Sequence, residues 1–167
     1  NRPSLYAAFG DKKALYLKTL ERFSAEMRKA LVSNIDADAP VAEALAQFYE
    51  GALDLYLGGA DGARGCLVVC TATVEAANDA DIRGLLETVL KEIDTGLEAL
   101  LRRGQARGEI SADADTGTLA MLAGATLHSL AVRARAGETR EALNSLVSQA
   151  VRLIAPAGNQ SQTKSMN

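Results

Sequence analysis

Only a handful of side chains in this 167-residue chain are equipped for covalent or metal chemistry. Cys66 and Cys70 stand four residues apart in GCLVVCTA, a spacing that puts both thiols on one face of a helix. His128 is the single histidine. A thiol beside an imidazole is the couple that cysteine enzymes use, the base drawing the proton from sulfur. A thiol pair can also act as a redox sensor. Their neighbours argue for packing instead. Leu67, Val68, Val69 and Ala72 surround the two cysteines, and an apolar setting keeps a thiol protonated and slow to react. One His and two Cys fall short of the four ligands of a usual zinc site. No Gly-x-Ser-x-Gly elbow and no phosphate-binding P-loop occurs. An enzyme is therefore not expected, and no cofactor is implied. Two cysteines do not make a disulfide framework, so a reducing cytoplasm is the expected location.

The second kind of chemistry is electrostatic. Residues 1–30 carry seven Lys or Arg against three acids, a net +4, so the remaining 137 residues must carry −7 of the overall −3. A basic end on an acidic body suits a polyanion that meets only that end; a solvated basic helix face is the plainer alternative. A third possibility is an apolar pocket with a few polar handles. Tyr49, Tyr56, Thr73 and His128 supply the handles; Phe48, Leu53, Cys66, Cys70, Leu86 and Leu90 are candidate walls, and each could equally be plain core.

The elements that must position these residues are helical nearly throughout. Pro3 suits the first turn of a short helix carrying Leu5, Tyr6 and Phe9, which Gly10 stops. Asp11 is placed to cap the next helix, in which Leu15, Leu20, Phe23, Met27 and Leu31 form a stripe to about Asn34. Pro40 opens a helix through Leu57, and GGADGARG breaks it. CLVVCTATVEAA has the Val and Thr content of a strand, but no partner strand exists elsewhere, so a short buried helix is expected. From Asp79 or Asp81 the clearest helix runs with Ile82, Leu85, Leu86, Val89, Leu90, Ile93, Leu97, Leu100 and Leu101 at 3-4 spacing. Arg102, Arg103 and Arg107 gather at its end, where the helix dipole favours cations. A small-residue helix follows from about Ala114 to Ala136, then one from about Glu138 to Ile154. The polar stretch after Pro156 is expected to be disordered. About seven helices in an all-α fold result, with no apolar run of ~18 residues to span a membrane.

RPSLYAAFGDKKALYLKTLERF then resembles the end of the DNA-binding domain of the TetR family. In that family a recognition helix ends with Leu-Tyr and a following Phe, and a short turn leads to a Lys near the start of a long helix. Here Ser4, Leu5, Tyr6 and Phe9 are followed by Gly10, Asp11, Lys12 and Lys13; Ala8 departs where many members carry His. The family's first two helices would precede Asn1, so a fragment, or the ordered part of a longer chain, is expected. The stretch GARGCLVVCTATVEAA, the long helix and GEI are similar to the regulatory domain of many members.

This resemblance implies the C-terminal part of a helix-turn-helix domain and its connecting helix over 1–34. A helical ligand-binding and dimerisation domain over 35–156 and a tail over 157–167 would follow. Arg2, Pro3 and Ser4 would enter the major groove, and Tyr6 and Lys12 would hold the backbone. The partners implied are a palindromic double-stranded operator, a small apolar effector and a second copy of the chain. The last two helices would form a four-helix bundle with their mates, although both apolar stripes could instead fill the monomer core. The implied function is a ligand-responsive repressor. Competing readings are a helical dimerisation or carrier module without DNA binding, and less strongly a Cys-dependent enzyme or thiol sensor.

Overall fold

The computed structural model describes residues 10–33, 35–36, 38–58 and 65–156. The helix expected over Pro3–Phe9 and the tail beyond Pro156 lie outside the described residues. Every regular element among the described residues is helical. Helix α1 spans Lys12–Ser33, α2 Val41–Leu57, α3 Thr73–Glu75, α4 Ala80–Ala106, α5 Thr116–Arg135 and α6 Arg140–Ile154. A π-helical stretch, Val68–Ala72, leads directly into α3.

The helix starts follow the sequence closely. Gly10 takes φ 88°, a left-handed conformation only glycine enters at no cost, and turns the chain into α1. The Asp11 carboxylate then accepts the Ala14 N–H at 2.7 Å. Asp79 accepts the N–H groups of Asp81 and Ile82 at the head of α4, and Asp115 those of Gly117 and Thr118 at the head of α5. Thr139 caps α6 through the Ala142 N–H. Pro40 precedes α2 without a capping side chain. There the Glu109 carboxylate, reaching over from beyond α4, takes the Val41 N–H, and Arg107 donates to the Ala39 carbonyl at 2.6 Å.

Helix α2 is the axis of the core: Ala44, Leu45, Tyr49, Ala52, Leu53 and Tyr56 are all essentially inaccessible. Helices α1, α4, α5 and α6 pack around it, and the most extensive helix pair is α4 with α5. The Tyr49 hydroxyl donates to the Ala123 carbonyl at 2.9 Å, tying α2 to α5, and Arg140 reaches Asp54 at 2.7 Å, tying α6 to α2. In the turn after α4, the Gln105 amide donates to the carbonyls of Ser111, Ala112 and Ala114.

The small residues of α5 serve the monomer. Ala120, Ala123, Gly124, Ala131 and Ala134 are buried, as are Leu143, Val147, Ala150 and Ile154 of α6. The stripes that the sequence offered for a bundle between two copies are therefore spent inside one copy. What these helices leave in the open is Met121, Leu122, Val132 and Leu153, each more than half exposed.

Close approach of α4 to α2 depends on Gly104. A Cβ there would lie 2.8 Å from the Val41 Cβ. Alanine gains about 1 kcal/mol of helix propensity over glycine, but overpacking a tight contact costs roughly 1–3 kcal/mol. Gly104→Ala should therefore lower the urea midpoint. Gly84→Ala, on the same helix with nothing within 4 Å of its Cβ, should raise it. Equal shifts for the two would show that the α2–α4 contact is looser than described.

Candidate functional site

Helices α1 and α4 run side by side in the same direction, and polar contacts pin them. The Lys13 ammonium bridges Asp79 at 2.8 Å and Asp81 at 2.6 Å, joining the start of α1 to the start of α4. About four turns further along α1, Arg28 pairs with Glu92. Between them, the Tyr16 hydroxyl and Thr71 Oγ1 lie 2.6 Å apart, tying α1 to the π-helical stretch.

Around the second pin a cavity of about 420 Å³ lies between the two helices. Ser24, Met27, Leu31 and Val32 of α1 line one side, and Val89, Ile93, Leu97 and Leu100 of α4 the other; Phe48 of α2 and Ile35 complete it. Its size falls within the range of small-molecule sites, and its lining is mostly apolar. A shallow outer depression lined by Thr88, Lys91 and Thr95 shares Arg28, Glu92 and Gly96 with the cavity, so the mouth lies there. A Cβ built on Gly96 meets nothing within 4 Å, which marks the opening. Arg103 stands near the other end of α4's contribution, and the axial rise separates it from Glu92 by about 16 Å.

Few of the residues singled out from sequence border this space. Phe48 lines it. Tyr49, Leu53, Tyr56 and Cys66 fill the solid core. Burial drives both phenols far above the ordinary tyrosine range. Cys66 sits one layer behind the cavity, its thiol 3.8 Å from the sulfur of Met27, and burial pushes its pKa up, as its apolar setting requires. Cys70 is half-buried on the same stretch. Thr73 is exposed, its hydroxyl donating to the Val69 carbonyl at 2.9 Å. Leu86 and Leu90 are half-buried on α4. His128 lies on α5; burial lowers its pKa, with Asp94 opposing, and its Nε2 has no partner among the described residues. No group of three His, Cys, Asp or Glu among the described residues is placed to hold a metal. Lys12 is exposed at the head of α1, while Arg2, Pro3, Ser4 and Tyr6 lie outside the described residues.

Sequence reasoning missed Met27, Ile93, Gly96 and Arg103 as site residues. For Arg103 a signal existed: it continues the 3-4 spacing of Val89, Ile93, Gly96 and Leu100, in phase with the apolar stripe rather than off it.

The Lys13 pin makes acid stability an observable. Lys13 holds the Asp79 carboxyl below its usual range, and the Ile82 and Asp81 N–H groups add to this. A lowered carboxylate pKa contributes stability above the ordinary range near 4, and that contribution is lost as pH falls through the folded value. Asp79→Asn should therefore lower Tm at pH 7, with the gap to the native protein narrowing toward pH 3 in a thermal melt series. A gap that stays constant across that series would separate Asp79 from the acid response.

The architecture is that of an all-helical domain with an apolar cavity beside a long leading helix. Residues 41–150 match the family model described as "Tetracyclin repressor-like, C-terminal domain". The chain belongs to that family and is a DNA-binding transcriptional regulator of the TetR type. It is 24% identical over 151 residues to the HTH-type transcriptional repressor ComR of Escherichia coli (strain K12), covering 90% of this chain and 72% of that protein. A cysteine mutant of the TetR family transcriptional regulator CifR, solved with 26bp double-strand operator DNA, aligns with a TM-score of 0.80. The two are 29% identical over 91% of this chain and 79% of that one. A TetR transcriptional regulator from Chloroflexus aurantiacus J-10-FL shares the fold, with a TM-score of 0.70 and 22% identity over 90% of this chain and 73% of that one. The all-α, TetR-like fold expected from the sequence is the fold observed. No helix among the described residues is long and apolar enough to cross a membrane.

Proposed function

We propose that this protein is a cytoplasmic, homodimeric repressor that a small, largely apolar effector releases from a palindromic operator. One observation carries this reading: α1, the helix that leads from the expected DNA-reading end at residues 1–9, is itself a wall of the cavity. A ligand that wedges α1 from α4 acts on the element that holds the recognition helix. Operator binding requires two such helices to match successive major grooves, so a small rotation of α1 in each copy removes the fit. The division between a DNA-binding part over 1–34 and a ligand-binding part over 35–156 then runs through the cavity, which both parts line. Arg2, Pro3, Ser4, Tyr6 and Lys12 remain the proposed DNA contacts. For the effector, the proposed walls pass from the sequence-derived set to the cavity's own lining, with Phe48 common to both.

The relatives support this reading: one is a transcriptional repressor and another was solved on operator DNA. The test is a gel shift of the whole protein against genomic fragments across a salt series. A specific fragment should be retained, with affinity that falls steeply as salt rises. Adding the neutral apolar probe N-phenyl-1-naphthylamine should free it. Retention of no fragment above background would reject the reading.

A further inference from the structure

We infer that the cavity is built for an amphipathic anion: an aliphatic or aromatic carboxylic acid whose carboxylate is held by Arg103. The inference rests on the effector reading above and names the chemistry of the ligand. Arg103 lines the cavity, and its Nε and Nη2 atoms are buried with no hydrogen-bond partner among the described residues. Arginine is always charged, and Nε and Nη2 together present the side-on pair of N–H donors that matches the two oxygens of a carboxylate. Two buried guanidinium nitrogens without an acceptor are a standing cost that an arriving carboxylate removes.

The other charges on the walls do not compete for it. Among the described residues Glu92 is the only acid in the lining, and Arg28 already holds it at the mouth, about 16 Å along α4 from Arg103. The Ser24 hydroxyl donates to the Leu20 carbonyl. Among the described residues the lining thus carries one uncompensated positive charge. Between the two charged ends the surface is aliphatic, with Ile93 and Leu97 at its middle. One cationic end and an apolar body select a ligand with an acidic head and a hydrocarbon tail. A neutral hydrocarbon leaves the guanidinium unsatisfied, and an amine adds like charge to it.

The test uses the whole protein and three probes with one tail: octanoate, 1-octanol and octylamine, titrated by calorimetry at constant ionic strength. Hydrogen bonds to a charged group predict octanoate tighter than octanol by about tenfold or more, with octylamine weakest. In Arg103→Gln the octanoate advantage should fall to about onefold while octanol affinity is kept, and Arg103→Lys should restore part of it. The head-group ranking in the native protein stands whether or not either variant folds. Octanol binding as tightly as octanoate, or an acid preference that survives Arg103→Gln in a folded variant, overturns the carboxylate inference and leaves the cavity as an apolar effector site. Binding of no probe in the series overturns both the inference and the effector reading.

Discussion

Gly96→Leu is expected to make the protein more stable and deaf to its effector at the same time. Gly96 lies within α4, where glycine costs up to about 1 kcal/mol against a good helix former. Its Cβ position is unobstructed, so a side chain can leave the helix there without a clash at Cβ. The space it enters is the mouth of the cavity, beside Arg28 and Glu92. A ligand that must share that space meets an overpacking cost of roughly 1–3 kcal/mol, or about five- to 150-fold in affinity. Thermal melts should show a raised Tm, N-phenyl-1-naphthylamine fluorescence titration a weakened Kd, and gel shifts an unchanged affinity for DNA without effector. Unaltered probe binding would place the ligand somewhere other than between α1 and α4.

The second large effect belongs to the outer surface of α5 and α6. Leu153 is 80% exposed and Leu122 54%, and they lie level with each other across the antiparallel hairpin, away from its turn. Large apolar side chains on neighbouring helices are the material of an interface core, and charge is what such a core excludes. If the proposed homodimer uses this surface, the double change Leu122→Arg and Leu153→Arg is expected to split it in sedimentation-velocity runs. Fold and Tm of the separate copies should stay near native, because neither side chain touches the monomer core. Losing the link between two half-site readers removes the effective-concentration gain, on the order of 10²–10⁴ in affinity for a palindrome. A variant that still sediments as a dimer would move the contact elsewhere, with Met121 and Val132 the next positions to change.

Local signals in the sequence were read well because they act locally. Asp11 was expected to cap a helix and does, and of the two candidate starts Asp79 and Asp81 it is Asp79 that caps the long helix; Asp115, which caps the helix expected to begin near Ala114, was not singled out. Pro40 had to precede a helix, and it does. The stretch from Cys66 to Ala76 was harder. Its β-branched residues lower helix propensity, and the structure answers with a π-helical stretch at Val68–Ala72 rather than a regular turn.

The site was barely legible, for a different reason. Tyr49 and Tyr56 drew attention as polar handles on an apolar face, yet the apolar face was the core itself, and burial consumed them. A cavity is a place where packing fails to close, which depends on how several helices sit against one another. No single residue encodes that arrangement. Arg103 was visible: with Arg102 and Arg107 it was grouped at the helix end, where it does stand, and its phase with Leu100 and Ile93 is what puts it on the cavity wall.

On the proposed function α1 is shared between two tasks. A helix that walls a chamber at one end and leads to the proposed DNA contacts at the other couples two equilibria, and such coupling has no preferred direction. Whatever factor the effector takes from the affinity for DNA, bound DNA must take from the affinity for the effector. Titrating the probe into the protein with and without saturating operator measures that factor from the opposite side, and the two values have to agree.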